Sequence, residues 1–508
     1  MPSLSQEHRI AIIGSGYGGS VAAQSLADKG FRVDLIEMGC DWDAMPQVNG
    51  KTFDSMTSPT ARSTWFSDRT DVPFSYLAGL PIINRRIDRG AGALGMERFA
   101  QMKVYVGRGV GGGSLVNGGM AVTPRKSYFQ KVLPQLDADE MYSTYFPRAN
   151  AQLGVAEPPA DILATASYCQ FARVAAEQAK KAGYSTVTVP NVYDWDYMRR
   201  EGIKRETRSA LGAEVIYGNN SGKKTLPRTI LQAARATGRV TVKPLTEVTR
   251  LRRSAGGQYE LTLKTIDFHG VVRSEQTQTY DRVILAAGSV GSTRLLLRAQ
   301  AENLVPGLRD NTDLGKGWGT NGNTMLARRL TWGTATGSLQ SGMPAMGISH
   351  WNDGPTSVFA EIAPFPTGIE MRTNVYLAIT DNDNLAAFTW NKDIQDVELG
   401  WTTQMSAPSV NATKAVFDRI NAANPGTFYR TDLFEDRKAF TDYFTYHPLG
   451  GAVLGEATDL NGEINGAPGL FVLDGSLIPG RIGVNPFVTI TAIAQRCMDG
   501  LLAAGRFA

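Results

Sequence analysis

Arg9 to Ile13 is a short apolar run that passes directly into Gly14-Ser15-Gly16-Tyr17-Gly18-Gly19, and Ser20 to Lys29 then sets Val21, Leu26 and Ala27 at helical spacing before Gly30. The order is strand, tight turn, helix. Arg32 to Glu37 reads as the next strand and ends in an acid 23 positions after Gly14, close to the roughly 20-residue offset of a ribose-binding carboxylate. The glycines divide the work between them. Gly14 permits the turn, Gly16 lets backbone amides approach a pyrophosphate at the helix N-terminus, and Gly19 allows the helix to lie close to the strand. The fingerprint commits the chain to a doubly wound α/β sheet that holds a dinucleotide, with Gly14, Gly16, Tyr17, Gly18, Gly19 and Glu37 as candidate contacts. FAD and NAD both fit such a site.

A second segment narrows the choice. Between Gly107 and Gly119, seven of thirteen residues are glycine. No core can be packed from such a run, but backbone laid against a flat cofactor needs it. The interleaved Val110, Leu115 and Val116 argue for a fixed loop over a flexible linker. Gly107, Arg108, Gly109, Gly112, Gly113, Ser114, Asn117, Gly118 and Gly119 are its candidate cofactor contacts.

Further along, Asp281 to Ala287 reads as a buried strand running into Gly288, followed by a helix over Ser292 to Ala299. Leu470 to Leu473 is a strand stopping at Asp474-Gly475, and Asn485-Pro486 opens a helix through Phe487 to Cys497, with Asn485 as N-cap and proline at the first helical position. Sheet elements therefore come from the start, middle and end of the chain. Between them, Met371, Val375, Leu377 and Ile379 alternate with Arg372, Asn374, Tyr376 and Ala378 as in a half-buried strand, and Val358–Ala363 and Thr324–Trp332 are further strands. The expected architecture is α/β: a Rossmann-type domain from 1–44, 223–313 and 458–508, with an inserted α+β substrate domain on an antiparallel sheet from 45–222 and 314–457.

Composition excludes much else. With 508 residues, 42% hydrophobic and 20% charged, the chain can bury two large cores. A net charge of +4 without any long basic cluster does not suggest nucleic-acid binding. Cys40, Cys169 and Cys497 lack metal or disulfide spacing, so no metal site is expected. No 18-residue apolar run and no N-terminal signal pattern are present, so the chain as given reads as soluble.

Gly107 to Ala121, His447-Pro448-Leu449-Gly450-Gly451 and Asn485-Pro486-Phe487 resemble the glucose-methanol-choline flavin oxidoreductases. Within that family the chain is most similar to the bacterial cholesterol oxidases with non-covalent FAD. That match rests on Val104–Val122, Pro190–Asp194, Val215–Asn220, Phe359–Pro364, Tyr446–Gly451 and Asp474–Gly480. The resemblance implies that Glu37, Gly112, Asn117, Gly118, Met120, Val248, Asp474, Gly475 and Phe487 contact FAD, with Gly288 at the turn of the second strand–helix unit. It places Glu361, His447 and Asn485 at the reacting carbons and Met120, Phe359, Phe444 and Tyr446 around the sterol. The implied reaction oxidises a 3β-hydroxysteroid, passes electrons to O2 to give hydrogen peroxide, and shifts the 5,6 double bond to give the 4-en-3-one. A monomer in transient contact with a lipid surface is expected. By resemblance the protein is secreted or cell-surface associated, although the missing signal pattern leaves the cytoplasm open.

Each catalytic candidate has an ordinary alternative. His447 stands at a constrained turn, where histidines are usually structural; as a functional group it would bond the substrate hydroxyl and steer its proton. Asn485 can serve as N-cap and as a polar group beside the flavin. Glu361 shares a strand face with Phe359 and Ala363; it is either a solvent-facing carboxylate or a desolvated base. Phe74, Tyr76, Leu77, Leu80, Ile82 and Ile83 are either core or a lid, with a second lid loop around Asp432 to Lys438. Competing functions are an oxidase for a sugar, choline or small alcohol, an NAD-dependent dehydrogenase, and a non-catalytic sterol carrier.

Overall fold

A computed structural model describes residues 9–73, 84–352, 354, 356–365 and 367–508. The lid cluster expected between Phe74 and Ile83 lies outside these.

The strand Ile10–Ile13 is entirely buried and occupies the middle of a five-stranded parallel sheet. Arg282–Leu285 and Val33–Ile36 flank it, with Ile10 opposite Arg282 on one side and Val33 on the other. Leu470–Val472 and Val240–Lys243 form the two edges. The sheet thus gathers chain from positions 10 to 472, as the three separated strand–turn signals require. The helix Tyr17–Asp28 buries Val21, Ala22, Ala23, Leu26 and Ala27. It packs against the C-terminal helix Phe487–Ala503 and against Ile230–Ala236. Small residues set the spacing: a Cβ on Gly18 would sit 1.6 Å from the Leu473 carbonyl oxygen.

Between Val240–Lys243 and Arg282–Leu285 the chain makes an antiparallel meander of Thr246–Arg253, Tyr259–Ile266 and Val272–Tyr280. Sequence pattern does not announce it, because most of the third strand is exposed and polar.

The second sheet is antiparallel and runs Thr427–Tyr429, Thr324–Leu330, Thr373–Thr380, Val358–Ala363, Met346–His350, Ser185–Thr188, with Phe440–Thr441 also paired to Thr324–Leu330. Strand period two divides its side chains. Val358, Ala360, Ile362, Tyr376 and Ala378 pack under the helices Gln170–Lys181 and Ala407–Ala423. Phe359, Val375, Leu377 and Ile379 join a separate cluster with Met120, Tyr105 and Phe444. Glu361 belongs to this second face.

The half-buried pattern expected around Met371–Ile379 is corrected: Thr373–Thr380 is buried at every position. Its polar members are absorbed by partners, Asn374 giving Nδ2 to the Phe171 carbonyl and Tyr376 accepting from Arg328. Arg372 has φ 47°, which turns the chain before the strand begins. The strand starting at Thr324 likewise stops at Leu330, and Trp332 is exposed. The helix expected over Ser292–Ala299 is longer, Gly288–Ala301. The segment Asp432–Lys438 is anchored, since Leu433 and Phe434 are fully buried and Lys103 pairs with both Glu435 and Asp71. No helix among the described residues is long and apolar enough to cross a membrane.

The Gly18 contact gives a direct test. Gly18→Ala must push the Leu473 backbone away and should cost about 2 kcal/mol or more, whereas Gly16→Ala, whose added Cβ meets nothing within 4 Å, should leave the fold intact. Thermal melting of the cofactor-free proteins distinguishes the two; equal melting temperatures would contradict the packing described.

Candidate functional site

One cavity of about 930 Å³ runs along the ends of the parallel strands and continues beneath the second sheet. The first part is walled by backbone. Gly14, Gly16, Tyr17, Gly18 and Glu37 line it, as do Gly107, Arg108, Gly112, Gly113 and Asn117 through Met120. The two glycine segments touch, because Gly112 has φ +51° and a Cβ there would lie 2.8 Å from the Gly16 Cα. Val248, Gly288, Asp474, Gly475 and Phe487 complete this wall. Among the expected cofactor residues, Gly19, Gly109 and Ser114 do not line the cavity. They act one layer behind: a Cβ on Gly19 would lie 2.0 Å from the Gly14 oxygen, Gly109 abuts the Trp42 indole, and Ser114 Oγ donates to the Gly111 carbonyl.

The wall is braced by polar side chains. Glu37 accepts from Ser15 N and Oγ and from Gly39 N at 2.7 to 3.1 Å. Its carboxylate keeps lone pairs for a ribose. Asp474 accepts from Ser292 Oγ, Gly288 N, Ser476 N and Ser476 Oγ, tying two turns together at the cavity edge. Tyr17 stacks on Phe487 at 4.9 Å and accepts from Asn117 Nδ2 at 2.6 Å. The sequence reading missed Lys223, which is fully buried and donates to the Leu115 and Asn117 carbonyls. Burial pushes its ammonium down to about 7. Only the fold shows that this lysine underpins the glycine loop.

These features fit a dinucleotide. Space stands open beside Gly16 at the N-terminus of Tyr17–Asp28, where amides and the helix dipole favour phosphate. Glu37 stands at the end of the neighbouring strand, where a ribose would lie.

The second part of the cavity is largely apolar, lined by Met56, Met120, Val215, Ile216, Met325 and Leu377. Tyr446 lines it too, but Phe359 and Phe444 do not: both are buried in the cluster behind the wall. They differ from the expected pocket because their rings are claimed by other core side chains, Phe444 packing on Tyr105, Tyr443 and Tyr446.

His447 and Asn485 both line the cavity. Burial drives the His447 pKa down to about 3, so its imidazole is neutral. Asn485 does not cap its helix with its side chain; Pro486 occupies the cap position without a side-chain bond. The amide instead points across to Glu361, with Nδ2 3.4 Å from Oε2. Glu361 is fully buried and lies behind Asn485, off the cavity surface. Desolvation raises its carboxyl to about 8, although the Asn485 bond works against the shift. Glu361 Oε1 and Asn485 Oδ1 have no partner among the described residues. A neutral imidazole and an amide thus line one cavity, with a protonatable carboxyl bonded to the amide from behind, a set suited to moving protons beside an alcohol or ketone.

Comparison with known proteins bears on the family and the fold. A family model described as GMC oxidoreductase matches residues 84–311, and the description "GMC oxidoreductase, C-terminal" matches 321–435. An NAD(P)-binding Rossmann-like domain matches 12–42. The chain is 25% identical to a cholesterol oxidase of Acinetobacter baumannii, over 96% of this chain and 93% of that one. It is also 25% identical to a cholesterol oxidase of Mycobacterium tuberculosis, over 97% and 91%. Among solved structures, a fungal aryl-alcohol oxidase superposes with TM-score 0.62 at 12% identity over 99% of this chain and 100% of that one, and pyridoxine 4-oxidase from "Mesorbium loti" with 0.61 at 16% over 98% and 99%.

Glu361 allows a test by linkage. Its folded pKa near 8 lies above the ordinary 4.5, so the unfolded chain ionises first and stability falls as pH rises through that interval. Glu361→Gln removes the penalty. Its melting temperature should exceed that of the parent by a margin that grows from pH 4.5 to 8 and is level above; a margin independent of pH would refute the buried, protonated state.

Proposed function

As the chain belongs to the GMC oxidoreductase family, we propose that it is an FAD-dependent 3β-hydroxysteroid oxidase, acting on cholesterol or a close relative, that also isomerises its product. The observation that carries this reading is Glu361: a carboxyl buried against Asn485, raised to about 8, beside an apolar cavity. Simple alcohol oxidation has no need of it. Moving a double bond does.

FAD, held by Gly14 to Gly18, Glu37 and the Gly107–Met120 loop, would accept the hydride and deliver its electrons to O2. The protein's own groups do the rest. His447, neutral across the working range, accepts the proton of the substrate hydroxyl and aims the carbinol C–H into the first part of the cavity. Asn485 offers its amide where negative charge develops. The 3-ketone acidifies the C4 proton; Glu361, reaching the cavity past Asn485, takes that proton and returns it at C6, leaving a conjugated 4-en-3-one. Since only the ionised carboxyl can begin this step, isomerisation should quicken as pH rises towards about 8. A sterol substrate implies transient contact with a lipid surface, consistent with placement outside the cell or at its envelope.

The decisive experiment follows flavin absorbance while cholesterol is added anaerobically to the purified protein. Rapid bleaching by cholesterol, and not by choline, pyridoxine or an aryl alcohol, is expected; bleaching by one of those alone would overturn the sterol assignment. Denaturation should release intact FAD. Glu361→Gln should still bleach with cholesterol but yield cholest-5-en-3-one, and undiminished 4-en-3-one would remove Glu361 from the isomerisation.

A further inference from the structure

A chain of hydrogen bonds behind His447 ends on a group whose role is unambiguous. The Thr320 carbonyl can only accept, so Thr445 Oγ1, 3.1 Å away, must donate to it. Thr445 Oγ1 then accepts from the His447 backbone N–H at 3.0 Å and from Asn323 Nδ2 at 3.3 Å. With its NH2 group turned to Thr445, Asn323 presents Oδ1 to His447 Nδ1 at 3.2 Å. An oxygen there demands a hydrogen on Nδ1, which leaves the lone pair on Nε2.

Asn321 meets the same ring from another side. Its φ of +58°, a conformation asparagine tolerates, directs the side chain into the turn before Asn485. Oδ1 accepts from Ile482 N and Gly483 N at 2.8 and 3.2 Å, and Nδ2 donates to the Val484 carbonyl at 2.8 Å. That amide is therefore oriented by backbone, and its Nδ2 comes to 3.4 Å from His447 Nδ1. Were this contact the governing one, Nδ1 would be bare and would face the Asn323 oxygen lone pair to lone pair.

We propose that Asn323 is a positioning residue that fixes His447 as the Nδ1–H tautomer, presenting the Nε2 lone pair for the substrate proton, while Asn321 keeps that ring in register with the turn carrying Asn485. The proposal rests on the oxidase reading for its purpose, but not for its geometry. Titratable groups on the elements around the ring are Tyr446, next in the chain, Tyr105, whose ring packs on Tyr446 at 5.4 Å, and Glu361, bonded to Asn485, which lines the same cavity as His447. The shift at His447 comes from burial alone. Replacing Asn323 with a carboxylate would therefore add an anion beside the imidazole and raise its pKa.

The chain has only four histidines, which makes the test direct. In 15N-histidine-labelled, flavin-loaded protein, the signal missing from His447→Gln should carry the Nδ1–H pattern and stay neutral from about pH 5 to 8. Asn323→Asp should move its titration up into that window. Asn323→Leu should lower the rate of flavin reduction about tenfold or more, with little change in KM. An Nε2–H pattern in the parent, or an Asn323→Asp protein whose His447 titrates as in the parent, would overturn the proposal. Because the tautomer and titration are read without substrate, they stand or fall apart from the sterol assignment.

Discussion

Backbone meeting backbone is the constraint on which this molecule is built. The Gly14–Gly19 turn, the Gly112 turn and the backbone just past the strand Leu470–Val472 approach one another more closely than a side chain at Gly18 or Gly112 would permit, and much of the cavity wall they form is backbone. Its glycine turns have no side chains to hold them, so they are braced by polar groups in the layer behind. Ser15 and Glu37 brace one turn, Asp474 links two others, and Lys223 donates to the Leu115 and Asn117 carbonyls of the Gly107–Gly119 loop. Among the described residues Lys223 has no carboxylate partner, and burying its charge is costly, which is why its pKa is pushed down to about 7.

The same division governs the reacting end. Glu361 Oε1 and Asn485 Oδ1 are left without partners among the described residues, and a buried polar atom in that state costs about 1 to 3 kcal/mol. The surrounding sheet can sustain this because it is covered on both faces, by two helices on one side and by the Met120–Phe444 cluster on the other. Asn321 and Asn323, by contrast, are engaged at both ends of their amides and serve to aim their neighbours.

Much of this is legible in the spacing of residues alone. The Gly14–Gly19 turn, its flanking strands and Glu37 encode the parallel sheet locally, since glycine spacing and strand–helix periodicity act over a few residues. The period-two pattern of Val358–Ala363 puts Glu361 with Phe359 on one face, as observed. Other features are hidden. The full burial of Thr373–Thr380 depends on Phe171 and Arg328, far away in the chain, accepting or supplying its polar partners. The side chain of Asn485 carries an ordinary N-cap signature, yet it turns to Glu361, 124 residues earlier.

By itself, then, the sequence determined the glycine turn and the parallel strands beside it, because these are written in short-range spacing, while the candidate catalytic residues were named through the resemblance of contiguous motifs to a known family. Tertiary structure alone decided their chemical state. Whether Glu361 is exposed or raised to about 8, whether Phe359 and Phe444 face a ligand or the core, and which nitrogen of His447 carries its hydrogen all depend on what surrounds them. Desolvation and hydrogen-bond direction are set by neighbours distant in the chain, and no local pattern records which of those neighbours will arrive.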